Sequence, residues 1–190
     1  MTPVVAILDA NVLYPAPLRD VLLQLAVAGF YHARWSAEID EEWKRNLLAA
    51  RPELAERIER TQVVMRRAVP DAMVTGYAAQ IPNLVLPDPN DRHVLAAAIT
   101  AGAEIIVTFN TRDFPAAALA AHGLAAQHPD EFLQGFIATM PTQLVAVVGR
   151  CISRLTNPPV TAAVYLETLR RLGLRETATF LASNLADWQK

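Results

Sequence analysis

Two hydrophobic patterns alternate along residues 1–139. Short, continuously apolar runs predict strands, and runs with an apolar residue every three or four positions predict helices. The predicted strands lie at residues 4–8, 31–33, 83–86 and 105–108 and near residue 124. The predicted helices lie at residues 17–28, 37–50, 52–69, 91–101, 116–121 and 129–137. Strands that alternate with helices are typical of a parallel sheet with helices on its faces, so the expected fold class is α/β.

The last 50 residues have a different pattern. Pro141, Pro158 and Pro159 separate three amphipathic stretches, with no convincing strand among them. We therefore expect an α/β domain at residues 1–139 and a helical extension at residues 140–190. The extension carries 3 acidic and 6 basic residues, against 16 and 11 in the first 139 residues. Its positive charge suits an anion, an acidic partner or simply a solvated surface.

The overall composition is that of a folded protein. A hydrophobic content of 53% in 190 residues can fill a substantial core, and a formal net charge of −2 is not typical of a general nucleic-acid binder. The single cysteine, Cys151, excludes an intramolecular disulfide and a thiolate metal cluster. No apolar run has membrane-spanning length and no basic leader precedes the first strand. We expect a soluble, cytoplasmic protein.

Four carboxylates occupy positions that an open α/β sheet would bring together. They belong to Asp9 after the first strand, Glu42 on a helix, Asp91 at the start of another helix, and Asp113 after the strand at residues 105–108. At about 5 Å and an effective dielectric near 20, each pair of such charges costs roughly 3 kcal/mol. A divalent cation offsets this repulsion, and Mg²⁺ or Mn²⁺ held by carboxylates usually serves phosphate ester chemistry.

Helical geometry selects Glu42 among its neighbours. At about 100° per residue, Glu42 flanks the buried stripe that contains Ile39, whereas Glu41 points to solvent. We interpret Glu38 and Asp40 as acids that complement the positive end of the helix dipole.

Other polar residues near these acids can support a site. Asn11, Thr108 and Asn110 offer neutral oxygens, and Asp88 is either a further ligand or a turn former. Arg112 is a candidate phosphate contact, or it pairs with a neighbouring acid. His93 is predicted to be an exposed helix residue, and the four histidines show no zinc-like spacing.

Two other functions are compatible with an aspartate after the first strand. One is a phosphatase with an aspartyl nucleophile, although such chemistry usually wants a second Asp where this chain has Asn11. The other is a non-catalytic module whose acids recognise a basic partner. No Gly-x-Gly-x-x-Gly, Walker or Gly-x-Ser-x-Gly motif is present, which weakens cofactor-binding and serine-hydrolase interpretations.

In order along the chain, these motifs resemble those of PIN domains, and among them those of the VapC-type ribonuclease toxins. The resemblance covers roughly residues 4–139. It rests on four motifs: Leu8-Asp9-Ala10-Asn11-Val12-Leu13, the helix with Glu42-Trp43, Asp88-Pro89-Asn90-Asp91, and Thr108-x-Asn110-x-x-Asp113-Phe114.

The resemblance implies a three-layer α/β/α fold with a small parallel sheet and an acidic cluster of Asp9, Glu42, Asp91 and Asp113 that holds Mg²⁺ or Mn²⁺. It also implies RNA as substrate and a VapB-like antitoxin that blocks the cleft; a homodimer is left open. Where the family sometimes has an acid, this chain has Asn110, so the fourth ligand is either Asn110 or Asp113. The helices after residue 140 are similar to the extension of a longer VapC subgroup.

Overall fold

The computed structural model describes residues 3–185, which form a five-stranded sheet surrounded by helices. All strands are parallel, in the order β3-β2-β1-β4-β5. They are β1 (Val5–Leu8), β2 (His32–Ser36), β3 (Met73–Val74), β4 (Ile105–Val107) and β5 (Ala125–Gln127). The predicted α/β class with a small parallel sheet is confirmed.

Ten α-helices lie in the described part of the chain. Seven belong to the first 139 residues: α1 (Ala10–Leu13), α2 (Ala16–Val27), α3 (Ala37–Ala50), α4 (Ala55–Ala68), α5 (Arg92–Thr100), α6 (Ala116–Leu119) and α7 (Pro129–Thr139). The other three are α8 (Pro141–Ser153), α9 (Ala162–Arg171) and α10 (Arg175–Asn184). Ser36 caps α3 as its sequence position suggests, since its hydroxyl accepts a hydrogen bond from the Ile39 amide at 3.2 Å.

One predicted strand is wrong. Residues 83–86 form no ladder, although Leu84 and Leu86 are buried on either side of the exposed Val85. The place beside β2 is taken instead by β3, whose two residues pair in parallel with Trp35 and Ser36. Alternating burial thus comes here from packing of the segment against the core, without backbone pairing.

The order of strands brings the ends of β1 and β4 side by side. Leu8 is in register with Val107, and the Asp9 amide donates to the Val107 carbonyl at 3.1 Å. Gly102 makes the turn between α5 and β4 with φ of 59°, a conformation that side chains with a Cβ disfavour. The residues after β1 and β4 therefore share one edge of the sheet, where the ligand-binding crevices of parallel sheets form.

The helices after residue 140 pack on the α/β part without a break in the core. Helix α8 lies on α2, and α10 lies on α7 and α9. The Tyr165 hydroxyl donates to the Pro17 carbonyl at 3.0 Å, and the Asp130 carboxylate accepts the amides of Glu176 and Thr177 at 3.1 and 2.9 Å. The three predicted helices are confirmed, and residues 186–190 of the predicted extension lie outside the described residues. Between residues 3 and 185, no helix is long and apolar enough to cross a membrane.

Candidate active site

Asp9 is the buried centre of the site. It follows β1 directly, caps α1 and is only 5% exposed. Its carboxylate accepts three hydrogen bonds of 2.7 Å, from the Ala10 amide, the Asn11 side-chain amide and the Thr108 hydroxyl. Burial nevertheless raises the pKa of Asp9 to about 6, because removing the charge from water outweighs these bonds.

The side chains of Asn11 and Thr108 join the ends of β1 and β4. The Asn11 amide nitrogen also donates to the Thr108 hydroxyl at 2.9 Å, and its oxygen accepts the Phe109 amide at 3.1 Å. Asn110 enters this network through its backbone, which donates to Thr108 at 3.0 Å, while its side chain is exposed. The network fixes the orientation of the Asp9 carboxylate, since the carboxylate cannot rotate without breaking it.

Asp91 is the carboxylate whose pKa reflects four neighbouring acids. It ends the 3₁₀ turn Pro89–Asp91 just before α5. Burial, followed in order by the charges of Asp9, Asp88, Asp113 and Glu42, raises its pKa to about 7. Four other acids are therefore near enough to destabilise the ionised form of this one.

Asp88 and Asp113 lie on the turns that precede α5 and follow β4. Asp88 accepts the Asn90 amide at 2.8 Å and thereby caps the turn, so its role as a turn former is seen directly. Asp113 is half-buried in the 3₁₀ turn Thr111–Asp113, and the following Phe114 is 2% exposed and anchors the loop. Arg112 is exposed.

Glu42 reaches the site from α3 and contacts a histidine that the sequence analysis placed in solvent. His93 is only 7% exposed, and its Nε2 lies 3.4 Å from the Glu42 carboxylate. Burial lowers the pKa of His93, but contact with Glu42 and the charges of Glu38, Glu42 and Asp9 outweigh it and raise the pKa overall. The prediction of an exposed His93 is wrong, because the ring is buried with the carboxylates of Glu38 and Glu42 on α3 beside it. Glu41 is exposed and pairs with Lys44, as predicted.

The chain matches two family models. The model described as "PIN domain" matches residues 5–112, which is more than half of the chain. This chain belongs to the PIN-domain family. A second model, "VapC50 C-terminal domain", matches residues 129–183 of the PIN-domain protein. The resemblance found in the sequence is confirmed by both matches.

One curated relative is similar to this PIN-domain protein. It is named "Putative ribonuclease VapC50" and comes from Mycobacterium tuberculosis. The two chains are 34% identical over 105 residues, which is 54% of the PIN-domain protein and 62% of the relative. The aligned part thus spans less than two thirds of the relative's length. No solved structure matches.

Asp40 of the PIN domain has a role that the sequence analysis missed. It is 1% exposed, accepts the Trp43 indole N–H at 2.9 Å and pairs with Arg66 on α4 at 2.7 Å. Gln62 also donates to its backbone carbonyl at 3.3 Å. The interpretation as a helix-dipole residue alone is wrong, since the buried Asp40 ties α3 to α4 through an ion pair with the half-exposed Arg66.

Asp9, Glu42, Asp91 and Asp113, with Asp88 beside them, form an acidic edge of the sheet. The donor chemistry of this acidic edge suits a hard divalent cation. Its side chains offer carboxylate oxygens, with amide and hydroxyl oxygens beside them, and these are the ligands that Mg²⁺ and Mn²⁺ prefer. Burial is the main cause of the raised pKa values of Asp9 and Asp91, and the charges of neighbouring carboxylates add to it. Within residues 3–185, however, no three carboxylate, histidine or cysteine side chains are close enough together to hold an ion as they stand. The PIN domain thus supplies suitable ligands without a closed ligand shell.

A basic groove lies between α2, α4 and the extension of the PIN-domain protein. Its volume is about 460 Å³, and apolar side chains such as Leu23 and Val64 form part of its wall. Four arginines, Arg19, Arg57, Arg60 and Arg154, line it together with one acid, Asp20. The sequence analysis missed this groove, because the arginines come from three segments that only the fold brings together.

Proposed function

We propose that this PIN-domain protein is a metal-dependent endoribonuclease and the toxin of a type II toxin–antitoxin pair. The observation that carries the proposal is the group of acids at the carboxyl edge of the sheet, where burial raises the pKa of both Asp9 and Asp91 and four neighbouring charges add to the shift of Asp91. Such an edge favours a cation, and a cation at a carboxylate site favours phosphodiester chemistry. The relative's name, which includes "ribonuclease", supports the same class of reaction.

In the proposed site Asp9 and Asp91 ligate Mg²⁺ or Mn²⁺, and Glu42 and Asp113 bind it through water or orient the attacking water. Asn110 remains the alternative to Asp113 as the fourth ligand. A bound ion would activate water and stabilise negative charge on the scissile phosphate.

The chain's own contribution is orientation. Asn11 and Thr108 hold the Asp9 carboxylate in one position, so that little reorganisation is needed when the substrate arrives. Arg112, exposed beside Asp113, is the proposed contact to a neighbouring phosphate of the RNA.

The proposed partner is a VapB-like antitoxin. A basic side chain placed at the acidic edge would replace the cation electrostatically and so block cleavage. The basic groove, with its arginines and apolar wall, suits a segment that carries both acidic and apolar residues. Homodimerisation remains open. Because the proposed activity needs both RNA and an antitoxin, we propose that it takes place in the cytoplasm. We further propose that residues 1–139 act as the nuclease domain and that residues 140–190 are the helical extension.

Cleavage of total RNA by the purified protein tests the proposal. We expect cleavage with Mn²⁺, none with EDTA, and none by Asp9→Asn. Glu42→Gln should lose activity, whereas Glu41→Gln, on the solvent side of the same helix, should keep it. Calorimetry with Mn²⁺ alone adds a second measurement, since wild type should bind the ion and Asp9→Asn should not.

Two results would reject the proposal. Cleavage by Asp9→Asn at the wild-type rate would exclude the acidic edge as the active site. A folded wild-type protein that neither binds Mn²⁺ nor cleaves RNA would favour the non-catalytic module instead.

A further inference from the structure

His93 lies on α5, the helix that follows Asp91, and it contacts Glu42 on α3. It lies two residues after Asp91, in the first turn of α5, and its ring is buried. Its Nε2 is 3.4 Å from Glu42, while its Nδ1 is 3.9 Å from Glu38, beyond hydrogen-bond distance. The Nε2 atom of a buried imidazole thus lies next to Glu42, a proposed ligand of the ion.

The two ring nitrogens of His93 are not equivalent. Nδ1 is buried and has no hydrogen-bond partner among the described residues, so Nε2 provides the ring's contact with a carboxylate. A histidine kept only for packing usually has both nitrogens satisfied. The one-sided arrangement is what a residue needs when its task is to hold a single neighbour.

Glu42 is a side chain that needs holding. Its side chain is 33% exposed and has three rotatable bonds, and a free glutamate would lose rotamer entropy on binding an ion. Asp9 has no such freedom, because three hydrogen bonds fix it. The contact of His93 with Glu42 on α3 is the counterpart of the contacts of Asn11 and Thr108 with Asp9 after β1.

We propose that His93 is a positioning residue for RNA cleavage: its Nε2–H donates to one carboxylate oxygen of Glu42 and leaves the other oxygen for the ion or its water. The proposal rests on the proposed function. Residues that orient metal ligands typically contribute about 10-fold to 100-fold to metal affinity or activity. Glu38, at 54% exposure and beyond hydrogen-bond distance, has no part in this role.

Two amide variants separate positioning from packing. The Gln amide nitrogen extends to about the place of Nε2, whereas the shorter Asn reaches only that of Nδ1. We expect His93→Gln to keep Mn²⁺ affinity and kcat within about 3-fold of wild type, and His93→Asn to lose about 10-fold to 100-fold in both. Glu38→Gln is the matched control on α3 and should behave as wild type. Calorimetry measures Mn²⁺ affinity without RNA, and urea unfolding in EDTA measures stability.

The outcomes discriminate clearly. If His93→Gln and His93→Asn lose stability and activity equally, His93 is only a packing residue and the proposal is wrong. It is also wrong if His93→Asn retains wild-type Mn²⁺ affinity and kcat while wild type cleaves RNA. If wild type neither binds Mn²⁺ nor cleaves RNA, the proposed function fails together with this role. Retention by Gln with loss by Asn supports positioning.

Discussion

Replacement of Asp91 by asparagine should make the metal-free protein more stable while it abolishes cleavage. The ionised carboxylate is partly removed from water and faces the charges of Asp9, Asp88, Asp113 and Glu42. Its side chain does not cap α5, so asparagine, which has nearly the same shape, loses no capping hydrogen bond. The substitution therefore removes a repulsive charge and leaves the packing unchanged.

The size of the gain follows from the pKa of Asp91. A pKa raised from 3.8 to about 7 corresponds to about 4 kcal/mol if the full shift acts on stability. Because the side chain is only half-buried and water screens its neighbours, we expect about 1–2 kcal/mol.

The same pKa fixes how the gain depends on pH. Below pH 3.8 the carboxyl group of Asp91 is protonated in both the folded and the unfolded state, and asparagine brings no advantage. Between pH 3.8 and about 7 the unfolded state loses the proton first, so the wild-type stability falls relative to Asp91→Asn. Above about pH 7 the difference is complete.

Urea unfolding in EDTA at pH 5 and pH 8 measures the effect, with exposed Asp71→Asn as the control. Asp91→Asn should be more stable than wild type at pH 8 and closer to it at pH 5. Saturating Mn²⁺ should reverse the order, since the ion stabilises only the protein that binds it. An Asp91→Asn variant no more stable than wild type at pH 8, or a gain of equal size at both pH values, would refute the electrostatic argument.

Three further substitutions test contacts around the site and the fold. Thr108→Val removes the hydroxyl that donates to Asp9; it should cost about 1–3 kcal/mol of unfolding free energy and reduce cleavage, and Thr108→Ser should restore both. Arg66→Met leaves the buried Asp40 without its cation; urea unfolding should show a loss of about 1–3 kcal/mol, whereas kcat per folded molecule should not change. Gly102→Ala should cost about 1 kcal/mol of unfolding free energy. The cost comes from its φ of 59°, which alanine disfavours, and not from a clash, since no atom lies within 4 Å of the added Cβ. A thermal midpoint equal to wild type would contradict this.

The sequence predicted the sheet and the placement of the acids because both depend on local patterns. Continuous apolar runs mark β1 and β4, and the acids that follow them are adjacent in any parallel sheet with this order. The two-residue β3 escaped prediction because it is too short for any periodicity, and four-residue α1 escaped for the same reason.

The misassigned side chains depend on contacts between distant segments. Asp40 and its partner Arg66 are 26 residues apart in the sequence, and the pattern within one helix contains no information about that pair. His93 lies on a helix whose apolar stripe is clear, yet its neighbours Glu38 and Glu42 come from α3, about 50 residues earlier in the chain. Helical periodicity assigns a direction to each side chain, and only the tertiary fold determines what it meets there.

The position of β1 between β2 and β4 also determines how the site responds to local opening. Asp9 follows the central strand of the sheet, and its own amide donates to the Val107 carbonyl. Hydrogen exchange at this amide should therefore require opening of the sheet centre, whereas the turn that carries Asp113 can open alone. One wall of the crevice is thus a fixed reference, and the opposite wall is the side that can adjust.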